Sequence, residues 1–239
     1  MKISNGIALA VAVAMTPAAV AEIDLAWTGN GPFQLVDWSY DAAVSWDSPS
    51  NPNKNPGILG LYQFNDGQYE GYCWDLDAPV SETPTPYEIF TAADYNEETE
   101  ARFSFLASLY DQWYEEVKNV ASTDFTAGYQ MGAALAFLTN EIMEENYDFI
   151  PGTFYLTDVQ AQSSTETGAI QFGDFSPEVQ VYYDAMLASL DFGTQEMIDG
   201  LVIYESADGF QDFVGYVPAP SALALLGLAG LAGRRRRNI

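Results

Sequence analysis

The sequence has no histidine, one cysteine and only eight basic residues in a chain of 239. Without histidine it cannot build a Ser-His or Cys-His catalytic arrangement or a His-ligated metal site. The single thiol, Cys73, excludes an intramolecular disulfide framework and a thiolate zinc cluster. A formal net charge of -26 excludes the basic surface that nucleic-acid binding requires. These absences remove most of the common enzyme classes.

The acidic residues are concentrated in the body of the chain. All 34 lie between Glu22 and Asp212, whereas that body holds three bases, Lys54, Arg102 and Lys118, so its net charge is -31. Such a surface attracts divalent cations, but no Asp-x-Asp-x-Asp-Gly loop is present. We therefore predict no dedicated metal site or cofactor. Calcium on the acidic surface is left open, and Asn65-Asp66-Gly67 with Glu70 is the nearest candidate.

Residues 1–21 have the pattern of an export signal. Met1-Lys2 supplies a positive start, Ile7 to Met15 is a short apolar run, and Ala19-Val20-Ala21 fits signal peptidase. The apolar run is short for a membrane span. The alternative is a buried N-terminal helix.

The C-terminal residues have three parts in a fixed order. Val217-Pro218-Ala219-Pro220 is followed by an apolar, Gly- and Ala-rich run that ends at Gly233. From Val217 to Gly233 is 17 residues, the lower limit for a spanning helix. A basic cluster then follows, which would hold that end in the cytoplasm: Arg234, Arg235, Arg236 and Arg237.

This order of proline motif, apolar helix and arginine cluster resembles the PEP-CTERM sorting signal of Gram-negative bacteria. The resemblance implies transient insertion in the inner membrane and processing near the proline motif by an exosortase, a membrane transpeptidase. The usual motif is Val-Pro-Glu-Pro, and Ala219 replaces its glutamate here. The alternative is a plain C-terminal membrane anchor.

Between these ends the spacing of hydrophobic residues changes from every second residue, which is typical of strands, to about 3.6 residues, which is typical of helices. From Val36 to Trp46 large residues alternate with polar ones, as in a half-buried strand. We predict a loop over 47–57, strands over 59–64 and 69–76, and a turn at 65–67. Apolar stripes over 96–146 predict helices. A third helix is predicted to begin at Ser176-Pro177. Strands are predicted over 153–159, 201–204 and 210–216.

Cys73 lies in Gly71-Tyr-Cys-Trp-Asp-Leu-Asp77, and the segment from Gly132 to Glu144, with Glu141 near its end, follows some 60 residues later. Together these segments resemble the thioester-domain pattern of surface adhesins and of many PEP-CTERM proteins. In that family a strand cysteine and a helix glutamine form an internal thioester that captures a nucleophile on a target surface.

The pattern departs from the family at the glutamine. Aligning Glu141 with the family's glutamate places Ala136 at the glutamine position and Asn140 at the tryptophan position. Alanine has no carboxamide. Gln130 lies six residues earlier, about 240° around the helix, and should point elsewhere. We expect a degenerate thioester-like fold in which Cys73 is a small buried hydrophobe.

Two further chemistries remain as alternatives. Paired carboxylates could act as acid and base of a polysaccharide hydrolase, although 34 acids make close pairs inevitable and a solvated surface is the simpler reading. Tyrosine and tryptophan could stack on sugar rings, but the alternation places Trp38, Tyr40 and Trp46 in the core.

The sequence thus predicts an α+β fold: a β-rich, sandwich- or barrel-like body with an inserted helical segment, a signal peptide and a C-terminal apolar helix. The predicted boundaries are 1–21 for the signal, 22–212 for the body and 213–239 for the sorting tail. We expect an exported, exosortase-sorted surface or matrix protein without catalytic activity. Its expected partners are signal peptidase, exosortase and exopolysaccharide or matrix components. The alternatives are a secreted hydrolase and a covalent adhesin acting through Cys73.

Overall fold

A computed structural model describes residues 21–39, 55–76, 78–94, 97–144, 159–160, 163–164 and 170–216. The strands are β1 (Ala21–Leu25), β2 (Trp27–Ser39), β3 (Asn55–Phe64), β4 (Tyr69–Cys73), β5 (Thr85–Phe90), β6 (Gln171–Gly173), β7 (Leu201–Ser206) and β8 (Phe213–Tyr216). The helices used below are α1 (Glu97–Thr123), α2 (Phe125–Glu144), α3 (Pro177–Ser189) and α4 (Gln195–Ile198).

The strands form one antiparallel sheet in the order β1-β5-β7-β8-β4-β3-β2-β6. β1 is at one edge and β2 is next to the other, yet only Ala26 separates them in the chain. The sheet must therefore curl back on itself. Asn65 fastens this junction: its side chain accepts from the Ala26 N–H (3.0 Å) and donates to the Asp24 carbonyl (2.8 Å).

The helices pack against the curled sheet. α1 and α2 form a hairpin around Asp124, and α2 lies across β2 and β3. A Cβ atom at Gly132 of α2 would lie 2.5 Å from the Pro32 carbonyl oxygen, so glycine permits this close approach. Further along α2, Phe137 stacks on Phe172 with ring centroids 4.3 Å apart. The α+β prediction is confirmed, and in the chain the helices lie, together with β6, between β5 and its partner β7.

The local predictions agree with the structure in several places. Val36 and Trp38 are buried in β2, the turn after Phe64 is present, and α1 and α2 occupy the predicted helical region. Ser176 is the N-cap residue of α3 by position, but its side chain makes no capping hydrogen bond. The alternation predicts an exposed Ser39, whereas Ser39 is buried because β6 pairs with this end of β2.

Three boundaries are corrected. The strand predicted over 210–216 is present over 213–216 as β8, an internal strand between β7 and β4, so a boundary between body and tail at 213 falls inside the sheet. Residues 55–57, predicted as loop, belong to β3 because β2 continues opposite them. Val159, predicted as the end of a strand, is helical and fully buried.

The described residues contain no helix that meets the length and hydropathy of a membrane span. The predicted signal peptide (except Ala21, which begins β1) and the predicted apolar helix after Pro220 lie outside the described residues.

Candidate functional site

Cys73 is the last residue of β4 and is fully buried. It pairs with Phe213 of β8, and the Tyr62 side chain of β3, whose hydroxyl donates to the Ile58 carbonyl (2.7 Å), lies near its side chain. Burial raises the pKa of the Cys73 thiol to about 12, although the Tyr62 contact opposes that rise. The thiol is therefore protonated at neutral pH, which is the unreactive form of cysteine.

Helix α2 meets the strand at this point. The Asn140 side-chain nitrogen donates to the Cys73 carbonyl oxygen (3.0 Å) and to the Ala136 carbonyl oxygen (2.9 Å). All three residues are fully buried. The structure thus places the backbone carbonyls of Cys73 and Ala136 on either side of one amide. The Ala136 side chain is a methyl group and has no carbonyl to offer to the thiol. The Asn140 amide donates to backbone carbonyl oxygens and not to the thiol.

Gln130 is engaged elsewhere, as its helical position indicates. Its side-chain nitrogen donates to Ser176 Oγ (3.1 Å) and to Glu178 Oε2 (3.4 Å), at the start of α3. The carboxamide of Gln130 therefore connects α2 to α3.

Glu141 is fully buried in α2, near the place where Arg102 of α1 reaches across. Arg102 Nη1 donates to the carbonyl oxygens of Ile142 (2.6 Å) and Met143 (3.0 Å). A guanidinium at the C-terminal end of a helix is attracted to the negative end of the helix dipole, so this contact is favourable. No local pattern in the sequence signals this role of Arg102, because the contact joins residues 40 and 41 positions apart.

Carboxylates occur in two contrasting environments. Asp212, in the loop before β8, accepts from the Ser206 N–H (2.8 Å), and burial raises its pKa to about 6. Burial also tends to raise the pKa of Glu70, but hydrogen bonds from Lys118, Gln63 and Tyr114 outweigh it and the pKa is lowered. Because Lys118 Nζ lies 2.7 Å from Glu70 Oε2, an ammonium group already occupies this calcium candidate.

Two of the concave surfaces in the described part of the chain are lined by strand residues. The first is a groove of about 570 Å³ beside β2 and β3. Its lining is mainly apolar, with Trp27, Leu35 and Ile58 among its members, but it also includes the carboxylates Asp37 and Asp174. Leu35 is 71% exposed. Among the described residues no group of three acidic or thiol side chains is arranged to hold a metal ion.

The second is a cleft of about 430 Å³, which we call the tyrosine cleft. It is defined by four tyrosines and one ion pair: Tyr69, Tyr114, Tyr204, Tyr216, Glu70 and Lys118. No motif in the sequence predicts this cleft. Its members come from β4, α1, β7 and β8, and no spacing in the sequence relates them.

The sorting residues, Val217 to Pro220 and Arg234 to Arg237, lie outside the described residues. The last described residue is Tyr216, at the end of β8, and the proline motif follows it directly.

No protein-family model matches this chain, and no curated protein and no solved structure is significantly similar to it.

Proposed function

We propose that this chain is an exported, exosortase-sorted cell-surface or extracellular-matrix protein of a Gram-negative bacterium, without catalytic activity. Its body is a curled, barrel-like fold related to thioester domains in which the cross-link is lost. The observation that carries the proposal is the position of Val217-Pro218-Ala219-Pro220 directly after the last strand, followed by the apolar run and four arginines. A processing site there would directly follow the last described strand in the sequence.

The absence of covalent chemistry is supported by the surroundings of Cys73. The thiol is buried and protonated, and the aligned helix position, Ala136, has no side-chain carbonyl. The buried Asn140 amide occupies the junction through two hydrogen bonds. A thioester requires an acyl donor next to a thiolate.

Cell fractionation of the host tests the sorting proposal. We expect the double variant Pro218→Ala, Pro220→Ala to accumulate unprocessed in the inner membrane, and removal of the exosortase to give the same result. Pro84→Ala, an exposed proline before β5, is the matched control and should be sorted normally. If both tail substitutions left location and mass unchanged, the sorting proposal would be wrong.

A second candidate is the polysaccharide hydrolase, which is favoured by the two carboxylates Asp37 and Asp174 in the groove beside β2. Inverting and retaining hydrolases both use a carboxyl pair across the scissile bond. Release of reducing ends from polysaccharide by the wild-type protein, abolished in Asp37→Asn and in Asp174→Asn, would establish this activity in place of a structural role. Asp184→Asn, an exposed acid on α3, is the control.

A further inference from the structure

We propose that the tyrosine cleft binds a neutral saccharide. This inference rests on the proposed surface or matrix function, and it names the chemical class of the matrix partner. A concave site with aromatic walls and a few fixed polar groups is the usual form of a small-ligand site, and the cleft volume of about 430 Å³ falls in the common range.

The aromatic wall consists of two pairs of rings. Tyr69 is half-buried and makes an edge contact with buried Tyr204, with centroids 6.3 Å apart. Tyr216 is likewise half-buried and makes an edge contact with buried Tyr114, at 6.0 Å. Each accessible ring is therefore held by a buried one. Rigid, partly exposed tyrosines offer a large contact area at a small entropic cost, which suits the apolar C–H face of a sugar ring.

The polar wall is the carboxylate of Glu70, which is already oriented. It accepts from Gln63 Nε2 (3.0 Å), Tyr114 Oη (3.1 Å) and Lys118 Nζ (2.7 Å). Its side chain is 16% exposed, so it faces the cleft without being fully solvated. An oriented carboxylate with an adjacent ammonium offers both an acceptor and donors to a pair of neighbouring hydroxyl groups.

The charges of the body and of the cleft favour a neutral saccharide over other ligands of similar size. A polyanion is repelled by a body with a net charge of -31, in which Lys118 is the only base among the described residues that is not buried. A cationic ligand finds the position between Glu70 and the Tyr114 ring already filled, because Lys118 Nζ lies 5.2 Å from that ring centroid. A purely apolar ligand would exclude water from the Glu70–Lys118 ion pair without supplying hydrogen bonds in its place, which is unfavourable. A sugar ring has both the apolar faces and the hydroxyl groups that the cleft requires.

Titration calorimetry and saturation-transfer NMR on the processed protein test the inference, with neutral gluco- and galacto-oligosaccharides of three to six units as probes. We expect at least one probe to bind, and we expect Tyr69→Ala and Tyr216→Ala each to weaken its binding by about tenfold. Tyr69→Phe keeps the ring and should restore most of the affinity. Tyr182→Ala, a half-buried tyrosine of α3, is the matched control and should leave the affinity unchanged.

Two results overturn the inference. One is that no neutral probe binds. The other is that binding is indifferent to Tyr69→Ala and Tyr216→Ala while both variants keep the native thermal transition. Neither result concerns the fractionation of the Pro218→Ala, Pro220→Ala variant, so failure of the saccharide site and failure of the sorting proposal are distinguishable.

Discussion

The Asn140 side-chain nitrogen lies 3.0 Å from the Cys73 carbonyl oxygen and joins helix α2 to the end of strand β4, 67 residues apart in the chain. The same nitrogen donates to the Ala136 carbonyl oxygen one turn earlier in the helix. The strand and the helix that carry the thioester-domain resemblance are thus held together by a hydrogen-bonded amide.

The first prediction concerns this amide. Asn140→Ala should lower the free energy of unfolding by about 1–3 kcal/mol, because the buried Cys73 carbonyl oxygen loses a donor that water cannot replace. Chemical denaturation measures the change. Asn119→Ala, at an exposed position of α1, should change the stability by less than about 0.5 kcal/mol. Equal effects of the two substitutions would refute the role assigned to Asn140.

The second prediction is that Cys73 is a free, unreactive thiol in the folded protein. Intact mass spectrometry should give the full sequence mass of the processed chain, and a thiol reagent should label Cys73 only on unfolding, since burial raises the pKa of the thiol to about 12. An exposed reference thiol, Ser122→Cys in a Cys73→Ala background, should react at once. A mass deficit of one ammonia would instead establish a thioester.

The third prediction concerns the crossing of α2 over β2. Gly132→Ala should destabilise the protein by about 1–3 kcal/mol although alanine favours helix, because the added methyl would lie 2.5 Å from the Pro32 carbonyl oxygen. Gly29→Ala in β2 is the control, since the nearest heavy atom to its new Cβ is 3.9 Å away. Thermal unfolding measures both. A Gly132→Ala protein as stable as the wild type would contradict this packing.

The fourth prediction uses the raised pKa of Asp212. The folded value is about 6 and the ordinary value is 3.8, so this group favours the folded state below about pH 4 and loses that contribution as pH rises to about 6. Asp212→Asn should therefore flatten the stability profile between pH 4 and 6 and stabilise the protein at pH 7 by about 1 kcal/mol, after allowance for partial exposure. The asparagine oxygen can still accept from the Ser206 N–H.

Denaturation midpoints across pH 3.5–7.5 check this prediction. Asp208→Asn, an exposed acid in the same loop, is the control and should leave the shape of the profile unchanged. A stability profile for Asp212→Asn that runs parallel to the wild type would contradict the assignment.

The fifth prediction concerns Glu70, whose pKa is shifted in the opposite direction from that of Asp212. The pKa of Glu70 is lowered, so its ion pair with Lys118 stabilises the protein above the ordinary pKa of 4.5 and is lost as pH falls through the lowered value. Glu70→Gln should cost up to about 1 kcal/mol at pH 7, with little difference from the wild type under strongly acidic conditions. Glu115→Gln removes a 62% exposed acid that lies 4.0 Å from Lys118, and it should have almost no effect. If the two variants behaved alike, the Glu70 pair would have no special role.

The sequence alone determined the features that depend on composition and on near neighbours. The α+β order, the burial of Val36 and Trp38, and the helical region that became α1 and α2 follow from hydrophobic periodicity, which local backbone geometry sets. The lack of histidine excluded whole classes of active site without any structure. The sorting interpretation of the two ends also comes from the sequence, and it stays a prediction.

Tertiary structure decided which distant residues meet. The Asn140–Cys73 contact, the pairing of Glu70 with Lys118 across 48 residues and the meeting of Tyr69 with Tyr204 depend on sheet register and helix docking. Those are set by the packing of the whole core, in which each contact depends on many others, and no short segment of sequence specifies them. The local pattern predicts the strand at 213–216, but its internal place in the sheet depends on β7 and β4 lying on either side, and the sequence does not specify those neighbours.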